Sequence, residues 1–169
     1  LTRENEIELA QSIVTAFDNP INRSSLYAMA AKEIIKQYGT SSYVDQLIDS
    51  AKYEMLKVSN TDNQPNRNLV AAALAFRNQG DDLEEALRVI KNERFKARGI
   101  WWISRGLAYN NELYKSYSMI PDNLSDDDVC GYLYEVFHDY NRNNRPESEY
   151  WKKWEKVGDN NDSRINYVR

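Results

Sequence analysis

Apolar residues recur along the chain at intervals of three and four positions, which is the spacing of one face of an α-helix. One stretch shows this pattern clearly, with a stripe made of Val44, Leu47, Ile48, Ala51 and Met55. No segment shows the period-two alternation or the Asn-Gly and Asp-Gly turns that mark strands and hairpins. The sequence predicts an all-α fold of eight to nine short helices over about residues 3–17, 24–38, 42–58, 67–79, 82–90, 93–109, 112–118, 125–141 and 146–157.

Caps and breakers indicate where these helices begin and end. Asn19-Pro20 is expected to end the first helix, since proline lacks the backbone N–H and disfavours a helical conformation in the residue before it. Gly39 and Gly80 are expected to end helices in the left-handed conformation that glycine tolerates. Ser125 is followed by three aspartates, which is the pattern of an N-cap at the positive end of a helix dipole.

Short helices joined by short breaks favour antiparallel pairing. Four pairs are predicted: 24–38 with 42–58, 67–79 with 82–90, 93–109 with 112–118, and 125–141 with 146–157. Residues 1–158 are expected to form a single domain. The remaining residues, 159–169, are expected to form a polar, flexible C-terminal tail.

Residues 71–90 read AAALAFRNQGDDLEEALRVI, with a Gly-Asp turn between two helical patterns and Ala86 facing inward. This stretch resembles one unit of the tetratricopeptide repeat family. The other pairs lack the Trp, Gly and Pro landmarks of that repeat, so the resemblance implies stacked helical hairpins without membership of the family. A short stack of this kind and an irregular bundle both remain open.

The composition fits a soluble domain with a polar surface. Its 169 residues are 41% hydrophobic, which is enough for a core and too apolar for a disordered chain. The net charge of −4 disfavours nonspecific binding to nucleic acid or membranes. No segment approaches the roughly 20 apolar residues of a membrane span, and no signal peptide is recognisable. A single cysteine excludes an internal disulfide, so we expect the cytoplasm, another reducing compartment, or a place in a virion.

Two further features bear on the origin of the chain. Asn and Tyr are abundant, a bias associated with AT-rich genomes, including those of many phages. One expectation is therefore that the chain is a structural subunit encoded by a phage. The sequence begins with Leu1 rather than Met, so we expect a processed or trimmed piece of a longer protein.

The residues that bind metals or act as nucleophiles are too few for a recognisable site. One cysteine and one histidine cannot supply the roughly four N or S ligands of zinc. Glu135 and His138 have the Glu-x-x-His spacing of di-iron bundles, but those sites need two such motifs. Cys130 is expected to be buried and unreactive, and 126–128 lacks the alternating spacing of a calcium loop. With no phosphate-binding or nucleophile motif either, we expect no cofactor and no metal.

Residues 86–105 carry a charge opposite to that of the chain as a whole. They contain a single acidic residue, Glu93, and six basic ones: Arg88, Lys91, Arg94, Lys96, Arg98 and Arg105. The segment therefore has a formal charge of +5 within a chain of −4. At 100° per residue, one stripe of the predicted helix holds Arg94, Arg98, Trp101 and Arg105, with Lys91 nearby.

A second stripe of the same helix is expected to face the core, and it contains Phe95, Gly99, Trp102, Gly106 and Tyr109. Its two glycines would let a neighbouring helix approach closely. Trp101 would then lie among arginines on the outer face, which is typical of a binding hot spot. The alternative is a solvated face with Trp101 against a neighbouring helix.

A second aromatic and basic cluster lies in residues 150–156, which read YWKKWEK. Trp151 and Lys152 are candidates for partner contact, whereas Tyr150 and Trp154 are expected to pack on the body. Core packing of the whole cluster is the alternative.

These features favour a non-catalytic protein–protein interaction module, such as an adaptor, an inhibitor or a structural subunit. Its partner is expected to be a protein with an acidic patch, and a homo-oligomer or larger assembly is compatible with this. The second hypothesis is a nucleic-acid contact through the 94–105 stripe, with Trp101 stacked on a base. An enzyme that relies on carboxylates alone ranks third.

Overall fold

The computed structural model describes residues 8–9, 12–58, 65–90, 93–121 and 125–144. This part of the chain is helical and contains no strand, which confirms the all-α prediction. After a helical turn at residues 12–15, its helices are α1 (Pro20–Tyr38), α2 (Ser42–Leu56), α3 (Pro65–Arg77), α4 (Asp82–Val89), α5 (Glu93–Tyr109), α6 (Leu113–Ser118) and α7 (Asp126–Asn144). The predicted helix 146–157, most of 3–17, and the tail 159–169 lie outside the described residues.

Several predicted helix ends are confirmed by the backbone. As predicted, Ser125 caps α7 by accepting a hydrogen bond from the N–H of Asp128. At the start of α2, Ser41 accepts one from the N–H of Val44. Gly39 follows α1 with a φ of +78°, as predicted. The prediction that Gly80 ends the helix of residues 67–79 is wrong: α3 ends at Arg77, and Asn78 next to it has a φ of +49°, while Gly80, with a φ of +50°, lies in the turn that follows. Both glycines therefore adopt the left-handed region that other residues avoid.

The prediction for Asn19-Pro20 misses the main role of these two residues, which is to begin α1. The Asn19 side chain accepts a hydrogen bond of 2.9 Å from the N–H of Ile21. Pro20 occupies the first helical position. A backbone N–H at this position would have no acceptor within the helix, so its absence costs no hydrogen bond. For this reason α1 begins four residues before the predicted start at 24.

The centre of the fold is α3, in which every residue from Val70 to Phe76 is buried. It packs against α1, α4 and α5, and its run of alanines leaves room for them. At Gly106 of α5, a Cβ atom would lie 2.6 Å from the carbonyl carbon of Ala75 and 2.7 Å from the backbone nitrogen of Phe76. A Cβ atom at Gly99 would overlap Ile90. The predicted close approach at both glycines is confirmed.

The helices form a compact bundle rather than an open row of hairpins. The predicted neighbours α1–α2, α3–α4 and α5–α6 do pack together, and α3 also joins α1 to α5 while α7 packs on α5. An open stack would keep α1, in the first predicted hairpin, apart from α7, in the last one. Instead, Nζ of Lys36 in α1 lies 2.6 Å from a carboxylate oxygen of Asp139 in α7. The alternative of an irregular bundle therefore describes this part of the chain.

Two hydrophobic clusters fill the bundle. The larger is built from α1 to α5, and the smaller surrounds the buried face of α7 with Val129, Leu133, Val136, Phe137 and Tyr140. The predicted stripe of α2 is buried as expected, and so is this face of α7. The apolar side chains of Leu87, Ile13 and Phe17 are exposed, and Cys130 is half-buried rather than buried as predicted. None of the described helices combines the length and apolar character needed to cross a bilayer.

Candidate binding groove between α5 and α7

An open groove of about 630 Å³ runs between the first half of α5 and the first half of α7. The spacing of its lining residues along each helix, at intervals of one and three positions, places them on one face of that helix. From α5 they are Ala97, Arg98 and Trp101, and from α7 they are Asp128, Gly131, Tyr132 and Glu135. We call this feature the α5–α7 groove.

The floor of the α5–α7 groove is aromatic. Half-buried Trp101 meets Tyr132 edge to face, with 6.5 Å between the ring centroids. The Tyr132 hydroxyl lies 3.3 Å from the buried Ser104 hydroxyl, and burial raises the pKa of the phenol well above its ordinary value of 10.0. Tyr132 is therefore neutral at physiological pH, and the floor presents two polarisable rings without charge.

Gly131 keeps the α7 side of the groove open. It lies in a helix, where glycine is unfavourable by roughly 1 kcal/mol relative to alanine. It is exposed, and no atom lies within 4 Å of the position that a Cβ would take. The absence of a side chain at this position leaves space beside Tyr132.

The two walls of the groove carry opposite charges. Arg98 on the α5 wall is exposed and forms no ion pair with any residue that the structure describes. The α7 wall carries the carboxylates of Asp128 and Glu135. Asp128 accepts a hydrogen bond from the Ser125 hydroxyl, and Glu135 is paired with Arg105 at 3.0 Å.

A buried ion network lies directly beneath the groove. Arg105 donates from Nε to Asp139, whose carboxylate also accepts from Lys36 of α1 at 2.6 Å. The Arg105 guanidinium lies over both indoles, 4.9 Å from the Trp101 ring centroid and 4.7 Å from that of Trp102. Asp139 thus fixes Arg105, and Arg105 supports the lower side of Trp101.

The structure brings together only part of the predicted contact stripe. Arg98 and Trp101 lie in the groove as neighbours. The prediction that Arg105 lies on the outer face is wrong. Arg105 is only 8% exposed, and its guanidinium is paired with the carboxylates of Glu135 and Asp139. Arg94 lies one turn before Arg98 in α5, but its side chain is outside the described part.

Three further predicted contact residues, Lys91, Trp151 and Lys152, also lie outside the described residues. Their roles stay predictions.

Sequence reasoning missed the α7 wall as a contact surface. Asp128, Gly131, Tyr132 and Glu135 follow one another at intervals of three, one and three, which is one helix face. Sequence reasoning considered Asp128 only as part of a helix cap and Glu135 only as half of a metal motif, and it did not consider Gly131 or Tyr132. The common face of these four residues, with a glycine at its middle, is the signal that would have identified them.

The groove combines an aromatic floor with walls of opposite charge. In the described ranges, no three His, Cys, Asp or Glu side chains cluster in a way that could hold a metal ion. His138 is exposed on α7, beside the buried Asp139.

Comparison with known protein families, with curated proteins and with solved structures finds no match for this chain.

Proposed function

We propose that this protein is a non-catalytic interaction module, and that the α5–α7 groove binds a segment of another protein. The observation that carries the proposal is the half-buried Trp101 at the floor of an open groove, beside Arg98, which has no ion partner among the described residues. Trp, Tyr and Arg are the residues that dominate the energetics of protein interfaces. All three are in or beside this groove.

The charges of the groove indicate the chemistry of the partner. An acidic group of the partner would meet Arg98, and the exposed Lys96 and Arg88 add further positive charge on α5 and α4. An apolar or aromatic side chain would fill the space beside Gly131 and Tyr132. The partner therefore needs an apolar anchor with a carboxylate on the side of Arg98, which agrees with the acidic patch expected from the sequence, and a basic or neutral group on the side of Asp128 and Glu135.

Nucleic acid is the weaker candidate for the same groove. Trp101 is half-buried against Tyr132, so only part of its ring is free to stack on a base. The carboxylates of Asp128 and Glu135 on the opposite wall would repel a phosphate backbone that followed Arg98. A protein segment can instead place a basic residue against that wall.

Two substitutions test the proposal without disturbing the core. Gly131→Leu adds a side chain where a Cβ meets no atom within 4 Å, so it fills the groove while favouring the helix. Arg98→Glu reverses an exposed charge. Trp101→Ala is less clean, because it would also remove packing under Arg105 and Tyr132.

The experiment is affinity capture from the native source with the full chain, followed by a binding titration with the protein that is retained. Gln46→Leu, at an exposed position of α2, serves as the matched surface control. We expect Gly131→Leu and Arg98→Glu each to weaken binding by about tenfold or more, equal to roughly 1.4 kcal/mol, and the control to bind like the wild type. Equal binding by all four proteins would refute the proposal.

A salt titration separates the second candidate. If a single-stranded oligonucleotide binds, and this binding falls steeply with salt and is lost in Arg98→Glu, the partner of the groove is nucleic acid rather than a protein. Circular dichroism of each variant checks that the helical fold is unchanged.

A further inference from the structure

The α5–α7 groove presents three chemically different surfaces to whatever binds in it. Its floor is aromatic, its α5 wall carries Arg98, and its α7 wall carries Asp128 and Glu135. We infer that the partner segment is an amphipathic α-helix whose apolar stripe lies on the floor, with acidic side chains toward α5 and basic ones toward α7. The inference rests on the proposed function of the groove and names the conformation of the segment that it binds.

A helix is the conformation that reaches all three surfaces at once. Side chains are distributed around a helix, so one apolar stripe faces the floor while the two flanks of that stripe face the two walls. Successive side chains of an extended segment alternate between two opposite faces instead. One of those faces would meet the floor and the other would meet solvent, which leaves the charged walls without partners.

The length of the groove suits a short helix. Its lining residues on α7 extend from Asp128 to Glu135, seven positions apart, which corresponds to about 10 Å of helix axis. A partner helix laid along this distance makes about two turns. Its apolar anchors would therefore lie at positions i, i+3 or i+4, and i+7, the pattern with which helices bind in grooves.

The backbone of the groove walls also favours a helical occupant. Ala97, Arg98 and Trp101 lie inside α5, and the lining residues on the other wall lie inside α7. Their backbone N–H and C=O groups are bonded within these helices, so neither wall presents a strand edge with which an extended segment could pair. A helix satisfies its own backbone and needs only side-chain contacts.

Gly131 gives a partner helix a place to come close to α7. In α5, Gly106 has the same use within the fold, because a Cβ atom there would overlap the backbone of α3 at Ala75 and Phe76. Gly131 is also helical, but it is exposed and no atom lies within 4 Å of its Cβ position. The distance between packed helices depends on the side chains at their contact, so a glycine permits a close one. A helix in the groove would contact Gly131 as α3 contacts Gly106.

Peptide selection against the full chain tests this inference. A phage-displayed library of random peptides of about 16 residues, or roughly four helical turns, is first passed over Gly131→Leu to remove peptides that bind elsewhere. The remaining peptides are selected on the wild-type protein. We expect the selected sequences to share an apolar stripe at helical spacing, with acidic residues on one flank and basic residues on the other.

The conformation of a selected peptide is tested with a single proline. The synthetic peptide is compared with two variants that carry proline or alanine at the same central position, opposite the apolar stripe. Proline disrupts a helix interior whereas alanine favours it. We therefore expect proline to weaken binding to the wild-type protein by about 100-fold, and alanine to change it by less than about threefold.

The assignment of the flanks to the walls is tested by reversing charge. Arg98→Glu should weaken binding of the selected peptide by about tenfold or more. A peptide whose acidic flank is replaced by lysine should bind Arg98→Glu more tightly than it binds the wild type. Gln46→Leu, on the surface of α2, is the control and should bind both peptides like the wild type.

Either of two results would overturn the inference. The first is a peptide that depends on Gly131 but loses less than about threefold in affinity when proline is introduced, since its bound form would then be extended. The second is a selection that yields no peptide able to distinguish the wild type from Gly131→Leu. Neither result decides the proposed function, which is judged by the binding of the protein captured from the native source to Gly131→Leu and Arg98→Glu.

Discussion

Asp139 is the residue on which the junction of α1, α5 and α7 depends. Its side chain is fully buried, and it faces the side chains of Lys36 and Arg105, which are 5% and 10% exposed. Replacement by asparagine keeps the shape but removes the negative charge, so two buried cations lose their shared partner. Arg105 retains Glu135, whereas Lys36 has no other ion pair among the described residues.

The expected cost of Asp139→Asn is large. Removing one partner of a buried ion pair destabilises a protein by about 3–5 kcal/mol, because the remaining charge stays buried without compensation. A domain of this size has a total stability of about 5–15 kcal/mol. The control is Lys115→Gln, which breaks the pair of Lys115 with Glu112 where the lysine is 50% exposed. An exposed pair of that kind contributes about 0–1 kcal/mol.

Urea unfolding followed by far-ultraviolet circular dichroism at pH 7 measures both values. The triple variant Lys36→Met, Arg105→Met, Asp139→Leu should recover most of the loss, since apolar packing can replace a whole buried network. A loss below about 1 kcal/mol for Asp139→Asn, similar to that of Lys115→Gln, would refute the assigned burial and pairing of Asp139.

Three further predictions use the same measurement. Gly106→Ala should destabilise the protein by about 1–3 kcal/mol because its methyl group meets backbone, whereas Gly131→Ala should stabilise it by about 0.5–1 kcal/mol; equal effects would contradict the packing. Ser125→Ala should cost about 1 kcal/mol through the lost cap, and no loss would contradict that role. The hydrogen bond from Asn78 lowers the pKa of Glu112 below its ordinary value of 4.5. The ionised Glu112 carboxylate therefore contributes to folding stability above that pH, and this contribution is lost as the pH falls through the lowered pKa. Unfolding measured from pH 7 to 3 should show Glu112→Gln losing less stability over this range than the wild type, and identical profiles would contradict the assignment.

The fold was predictable where local rules and tertiary packing agree. The stripe of α2, the Ser125 cap of α7 and the Gly39 stop are read directly from neighbouring residues, and the structure contains all three. The role of Pro20 was misread because proline both excludes a helix before it and favours one that begins with it. Only the favourable cap of Asn19 decides between the two.

The site was less predictable because it depends on partners far away in sequence. A projection of α5 alone places Arg105 on the same stripe as Arg98. Whether that stripe faces solvent depends on Asp139, 34 positions later, and on Lys36, 103 positions before Asp139. The α7 wall of the groove likewise exists only because α7 packs beside α5. Periodicity identified the aromatic and basic residues but could not show which of them the bundle covers.

A photo-crosslinker in place of Ala97 tests most directly whether the α5–α7 groove binds a partner. Ala97 is exposed and lines the groove, so p-benzoylphenylalanine at this position would extend toward a bound segment. The same group at Gln46 provides the comparison on α2. With the protein retained in affinity capture, we expect adducts from position 97 that are lost in Gly131→Leu, and none above background from position 46. Equal adducts from both positions, or adducts at 97 that survive Gly131→Leu, would contradict a binding role for the groove.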